Sequence, residues 1–324
     1  MNQTQWIGGA GNGVPLPSSV ALTEVCPRDG FQNICDWIPT ETKQQAIDLL
    51  IDSGLQRFEI TSFVNPKAIP QMADAQRIVE HVLRRNREEN LGLDIVALAP
   101  NLRGAENALN AGVHHISYVI SAGEQHNLAN INRTHEASLA DLAAITSAYP
   151  DMHVTLSMAT VFGCPFAGAV SADTVLWLLS EALSRGVRDV TLCDTIGVAS
   201  PRQTGELLAR VRDTNPSLDV GLHVHDTHGM ALANTLVALT HGVRRFETAA
   251  GGLGGCPFAP GAAGNSATED VANMLWRMGI DTGVSREKLL TAVAFIRQQI
   301  QPNLMSHLAQ ARSYGEFSFW TEGA

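Results

Sequence analysis

The stretch "RDVTLCDTIGVASPRQTGELLARVRDTNPSLDVGLHVHDTHG", residues 188–229, holds the reading that decides the fold. It begins with a short β-rich run, RDVTLC (188–193), and ends with another, LDVGLHV (218–224). Between them, residues 200–214 repeat their apolar positions at helical spacing, behind a Ser-Pro start. Strand, helix and strand in this order form the crossover unit that joins parallel strands.

The same alternation runs outward in both directions. Strands are expected at 20–26, 56–61, 93–98, 114–120, 152–158 and 244–249, besides the two already quoted. Helices are expected at 40–53, 70–88, 102–111, 136–148, 171–185, 229–241 and 266–279. Several end in a glycine stop, such as NAG at 110–112 and THG at 240–242. Eight strand–helix units predict closure into a (β/α)8 TIM barrel of the α/β class. No Gly-x-Gly-x-x-Gly turn follows the first strand, which argues against a dinucleotide-binding sheet. A helical stretch at 284–312 forms a C-terminal extension. The domain reading is a flexible Gly/Ser/Pro lead-in at 1–19, a barrel domain at 20–312 and an irregular tail at 313–324.

The chain has 324 residues, 45% of them hydrophobic, enough for one large core. A net charge of −10 speaks against nucleic acid and acidic membranes as partners. The five cysteines include no C-x-x-C pair and imply a reducing compartment. With no apolar run of about 18 residues and no charged leader at the start, a cytoplasmic location is expected.

Barrel chemistry gathers where the strands end. The first strand exits into CPRDGFQ, which carries Arg28 and Asp29. The second contains Glu59, and the sixth runs into Asp194. In the seventh, His223 and His225 stand two residues apart, on one face of the strand. Cys256 and Asn265 follow the eighth, Cys256 in a segment with six glycines between 251 and 264. Asp29, His223, His225 and Asn265 offer oxygen and imidazole nitrogen but no sulfur. Such a set suits Mg²⁺ or Mn²⁺, with Zn²⁺ or Co²⁺ as alternatives. A histidine pair alone can be structural, and Asp226 and His228 fit the capping of the next helix better than the orientation of ligands. Arg28 suits a carboxylate or a developing oxyanion, or an ion pair with Glu59 or Asp194. On a glycine-rich loop above a polar mouth, Cys256 suits acid–base work and closure over substrate. The three lysines, Lys43, Lys67 and Lys288, are not placed for a Schiff base.

Seven segments together resemble the 3-hydroxy-3-methylglutaryl-CoA lyase family. They are PRDGFQN (27–33), ETKQQAIDLL (41–50), FEITSFVNPKAIPQMAD (58–74), APNLRGAENALNAGV (99–113), CDTIGV (193–198), HVHDTHGMALANT (223–235) and GGLGGCPFAPGAAGNSATED (251–270). The His-x-His and Arg-Asp segments are shared with the related isopropylmalate and homocitrate synthases, whereas the glycine-rich Cys256 segment is specific to the lyase.

The resemblance implies metal ligation by Asp29, His223, His225 and Asn265, and enolate stabilisation by Arg28. It implies acid–base or supporting roles for Cys256, Glu59, Asp194 and His223. Gln32, Ser62 and Glu124 complete an implied substrate-binding set with Arg28. The implied reaction is retro-Claisen cleavage of a CoA thioester to acetyl-CoA and acetoacetate, as in leucine degradation, by a homodimer. The sequence departs from the family at Cys26, Gly123 and His228 and in ICDW (34–37), which leaves the acyl group open. Two rival readings are a condensing enzyme acting on 2-keto acids, which normally carries a further C-terminal domain, and a non-catalytic CoA-binding barrel.

Overall fold

A computed structural model describes residues 16–255 and 264–311. Eight parallel strands close into a barrel in chain order: β1 (Ala21–Glu24), β2 (Arg57–Ser62), β3 (Asp94–Leu98), β4 (His115–Ser121), β5 (His153–Ala159), β6 (Asp189–Asp194), β7 (Asp219–Val224) and β8 (Arg245–Thr248). The seam pairs β1 with β8, Ala21 opposite Arg245. Each strand lies within one or two residues of its expected place.

The crossovers are α1 (Thr40–Asp52), α2 (Ala75–Glu88), α3 (Leu102–Asn110), α4 (Glu124–Ile131), α5 (His135–Ala148), α6 (Ala172–Leu183), α7 (Pro201–Thr214), α8 (Ala231–Thr240) and α9 (Thr268–Arg277). Beyond them lie α10 (Arg286–Gln299), packed on α1, and a single turn α11 (His307–Gln310). Side-chain caps fix several starts. Ser200 and Gln203 make a reciprocal capping box on α7, and Asn101 and Thr134 cap α3 and α5.

Three features depart from expectation. The helix expected at 70–88 is a 3₁₀ turn, Pro70–Met72, followed by α2. An unexpected helix, α4, follows β4 and ends at Asn132 in the left-handed region (φ 54°). Its sequence EQHNLANI gives a weak apolar face, so periodicity misses it. Residues 16–19 of the lead-in are tied down: Leu16 packs on the core and Ser19 bridges to Asp281.

The core lies between strands and helices. Phe58, Ile60, Ile116, Tyr118, Leu156, Val190, Leu222 and Phe246 are buried there. The alternate residues meet inside the barrel, as contacts between non-adjacent strands show. Arg57 on β2 reaches Thr155 on β5, and Thr191 on β6 bonds Glu247 and Arg245 on β8. The inner layers are therefore polar. Gly221 of β7 makes room for this: a Cβ there would stand 2.7 Å from Arg245 Nη1.

Candidate active site

A cavity of about 580 Å³ opens at the C-terminal ends of the strands, the end where barrel chemistry is placed. Its walls include Arg28, Asp29, Gln32, Ser62, Asn101, Arg133, Ser157, His223, His225 and Glu247. No lysine lines it among the described residues.

Arg28 and Asp29 arrive there on a single π-helical turn, Cys26–Gly30, directly after β1. The amides of Arg28, Asp29 and Gly30 all point at the Val25 carbonyl, at 3.1, 2.7 and 3.3 Å. Such widened turns recur at functional sites because they re-aim side chains that a strand or α-helix would direct elsewhere. The guanidinium of Arg28 is held through Nε by Glu59 and through Nη1 by Asp29 Oδ1 at 2.5 Å. Burial opposes its charge, but Glu59 and Asp29 outweigh that and raise its pKa. Nη2 makes no protein hydrogen bond among the described residues and is free for a ligand. The ion pair with Glu59 thus forms; one with Asp194 does not.

Asp29, His223 and His225 bring one ligand atom each to within 4.8 Å of one another. Asn265 is held beside them, its Nδ2 donating to Asp29 Oδ2 (2.7 Å) and to the Leu253 carbonyl (2.8 Å). That leaves Asn265 Oδ1 and His225 Nδ1 buried with no hydrogen-bond partner. A buried amide oxygen without a partner is costly in a protein core and, on a residue bonded to Asp29, suits a bound cation. The ring nitrogen that His225 presents to Asp29 is Nε2, 4.0 Å from Oδ2. Burial lowers the pKa of His225 to about 3, so its ring is neutral and can serve as a ligand. Burial raises that of Asp29, yet Arg28 and the two histidines bring it below the usual carboxylate value. Gly254 passes close by at φ 125°, where a Cβ would lie 2.3 Å from Asn265 Nδ2. The residues therefore fit a divalent ion.

Glu247, unmarked in the sequence reading, orients this set. Its Oε2 accepts from His223 Nδ1 at 3.0 Å and its Oε1 accepts from Thr191 Oγ1 at 2.8 Å. Its position carries a signal. Arg245 and Glu247 are charged residues two apart in a buried strand, so both face one side and need partners.

The remaining expected site residues divide. Gln32 donates to Asp29 Oδ1 (2.8 Å), and Ser62 is buried at the wall with its hydroxyl unpartnered. Glu59 stands behind Arg28. Asp194 does not line the cavity: its two oxygens accept from the Val198 and Ala199 amides and fix the turn after β6. Glu124 is exposed at the start of α4 and accepts from the His135 amide, away from the cavity. Asp226 caps α8 through the Ala231 amide (2.9 Å), and His228 is exposed. Cys256 lies outside the described residues.

The layout is that of a (β/α)8-barrel enzyme with its chemistry at the C-terminal mouth. Comparison with known proteins narrows the class. The HMGL-like family model matches residues 19–296. The chain is 42% identical over 299 residues to hydroxymethylglutaryl-CoA lyase YngG of Bacillus subtilis (strain 168), covering 92% of this chain and 98% of that one. It is 39% identical to the human mitochondrial hydroxymethylglutaryl-CoA lyase, covering 91% and 90%. Among solved structures, the B. subtilis HMG-CoA lyase superposes with a TM-score of 0.87 at 41% identity, covering 92% of this chain and 99% of that one. An HMG-CoA lyase of A. baumannii in complex with coenzyme A and 3-methylmalate superposes with a TM-score of 0.85 at 38% identity, covering 91% and 95%. The chain belongs to the HMGL-like family, that of the HMG-CoA lyases, and is an enzyme, a lyase.

Proposed function

We propose that this enzyme cleaves the C2–C3 bond of 3-hydroxy-3-methylglutaryl-CoA, or of a close 3-hydroxyacyl-CoA analogue. The products are acetyl-CoA and acetoacetate, or the matching keto acid. The observation that carries this reading is the Arg28–Asp29–His223–His225 cluster at the wall of a cavity of about 580 Å³, with Asn265 bonded to Asp29 beside it. Support for the thioester comes from the A. baumannii relative, solved with coenzyme A.

Asp29, His223, His225 and Asn265 would hold the cation, with Mg²⁺ or Mn²⁺ preferred. When bound, such an ion supplies Lewis-acid polarisation of neighbouring substrate oxygens. His223 has Nδ1 committed to Glu247. Its Nε2 serves either a ligand bond or a proton, so we assign it to ligation alone. The C3 hydroxyl gives its proton to solvent water acting as base in the cavity, and the freed O–H electron pair becomes the second C–O bond of the ketone. The C2–C3 pair passes to C2, giving the thioester enolate. Arg28 Nη2 is the free donor for that charge, and Glu59 and Asp29 hold the guanidinium in one orientation. A proton on C2 then completes acetyl-CoA, and Cys256 is our candidate for its source. Ser62 and Gln32 supply polar wall, and Asp194 acts by fixing the turn after β6. Cytoplasmic location and a homodimer complete the reading. No helix among the described residues is long and apolar enough to cross a membrane.

The test is a screen of 3-hydroxyacyl-CoA thioesters for acetyl-CoA release with Mg²⁺ or Mn²⁺. Release together with acetoacetate is expected from the 3-hydroxy-3-methylglutaryl compound. Acetyl-CoA consumption with 2-keto acids, and no release, would replace the reading with a condensing enzyme.

A further inference from the structure

At the opposite end of the barrel the first residue of seven strands is charged or a histidine: Arg57, Asp94, His115, His153, Asp189, Asp219 and Arg245. Within this ring His115, His153 and Asp189 each bring a ligand atom to within 4.8 Å of the others. The geometry points to a second metal site here, at the N-terminal mouth, for a zinc-class divalent ion held by two imidazoles and one carboxylate.

The surroundings are those of a built ligand set. Asp94 Oδ1 lies 2.8 Å from His115 Nδ1. A carboxylate on one ring nitrogen fixes the tautomer and bares the other for a metal. That nitrogen, Nε2, faces inward and is hydrogen-bonded to Thr155 Oγ1 at 2.8 Å, a bond that a bound ion would replace. The His115 and His153 rings stack with centroids 4.0 Å apart, on directly paired residues of β4 and β5. His153 Nε2 is 3.2 Å from Asp189 Oδ2, close to the edge of about 3.3 Å that Zn–N and Zn–O bonds of about 2.0 Å span in a tetrahedron. The second oxygen, Asp189 Oδ1, is buried without a hydrogen-bond partner, on a residue only 4% exposed. The His153 side chain is 40% exposed and gives an ion its way in.

Protonation states agree. Burial lowers the pKa of His115, keeping it neutral. Burial raises that of Asp189, but the His153 contact and the Arg245 charge bring it to about 2, so it is ionised. Two cations face the site: Arg57 Nη2 stands 3.4 Å from His115 Nε2, and Arg245 Nη2 stands 3.7 Å from Asp189 Oδ2. Each has a carboxylate of its own, Arg57 with Asp94 at 3.1 Å and Arg245 with Asp219 at 3.3 Å. Their charge disfavours Mg²⁺, which binds through oxygen and electrostatics. An ion that gains from imidazole nitrogen tolerates it better.

The experiment is zinc stoichiometry on untagged, chelator-stripped protein, measured by elemental analysis after equilibration and desalting. The expected result is about two zinc ions per chain, falling to about one in His153→Ala and in Asp189→Asn, with the remaining ion in the cavity. His225→Ala is expected to keep the N-terminal ion, which separates this site from the catalytic one. Crystals of the unaltered protein soaked in zinc remove any dependence on a variant's folding. An anomalous peak between His115, His153 and Asp189 is expected. Its absence, or His153→Ala retaining the full stoichiometry, overturns the proposal.

Discussion

Replacing Glu247 by glutamine keeps the shape of the side chain and removes its charge. Glu247 spans two partners, His223 Nδ1 at 3.0 Å and Thr191 Oγ1 at 2.8 Å, and Thr191 in turn accepts from Arg245 Nη1 at 2.9 Å. Burial raises the carboxyl's pKa, but bonding to His223 and the charges of His223 and Arg245 bring it to about 2, so the native partner is an anion. Hydrogen bonds to charged groups contribute about 1.5–3 kcal/mol and neutral ones about 0.5–1.5 kcal/mol, so the amide forfeits roughly 1–2 kcal/mol. If most of this falls on His223 as a ligand, metal affinity drops about tenfold, within the range of about 10- to 100-fold known for partners of metal-bound histidines. Glu247→Asp is one methylene shorter, cannot span both partners, and should lie towards the hundredfold end. The assay is competition titration of Mn²⁺ against a chelating dye, with circular dichroism and Tm as fold controls. At saturating metal, Glu247→Gln should recover most of its kcat, because Glu247 acts through His223. Unchanged metal affinity in both folded variants would refute the argument.

Arg28→Met should lower kcat by about 10²-fold with little change in KM, as expected for a lost oxyanion contact; a pure KM effect would make Arg28 an anchor for substrate. It also strands buried Glu59, so Arg28→Met/Glu59→Gln should regain the Tm that the single variant loses without regaining activity. Cys256→Ser should leave metal affinity intact while cutting turnover, since a hydroxyl is a far weaker acid than a thiol; near-normal turnover would remove the thiol from the mechanism. Glu24, fully buried, has its pKa raised from 4.5 to about 7, chiefly by burial. The protonated form is the one the fold favours, so its stability contribution is complete below pH 4.5 and is lost as pH rises through about 7. At about 1.4 kcal/mol per pH unit the loss is of order 3 kcal/mol. Glu24→Gln should therefore flatten the fall in unfolding free energy between pH 5 and 8, and an unchanged slope in denaturant melts would assign it elsewhere.

The fold was legible because most strands carry apolar residues at alternate positions on their helix-facing side, and most helices repeat them at their own period. Phe58 and Ile60 show the first pattern, and Leu207, Leu208 and Val211 show the second. The cluster of Asp29, His223 and His225 was legible because it concentrates on one strand and one turn. Other parts were not, because proximity in a barrel comes from closure, which no local pattern records. Glu247 is twenty-four residues from its histidine and opposite it in register. The turn bearing Arg28 and Asp29 is π-helical, a geometry without a sequence period. Asp194 and Glu124 illustrate a related point: position near a strand exit does not say whether a carboxylate turns to the cavity or to nearby amides, and both accept from amides here.

The seam between β1 and β8 has a consequence for synthesis. β1 has β2 on one side and β8 on the other, and Val20 and Ser18 are tied to Asp281 as well. As the chain leaves the ribosome, β2 can pair with β1 early, but the other edge of β1 has no partner until residues near 245–281 emerge. Until then an unpaired edge sits beside outward residues as apolar as Leu22 and Val25, both buried in the finished barrel. Such an edge is a template for association with neighbouring chains. Yield at high expression should therefore be limited by this interval, and chaperones that shield the growing half-barrel should raise soluble protein without changing the stability of the completed one.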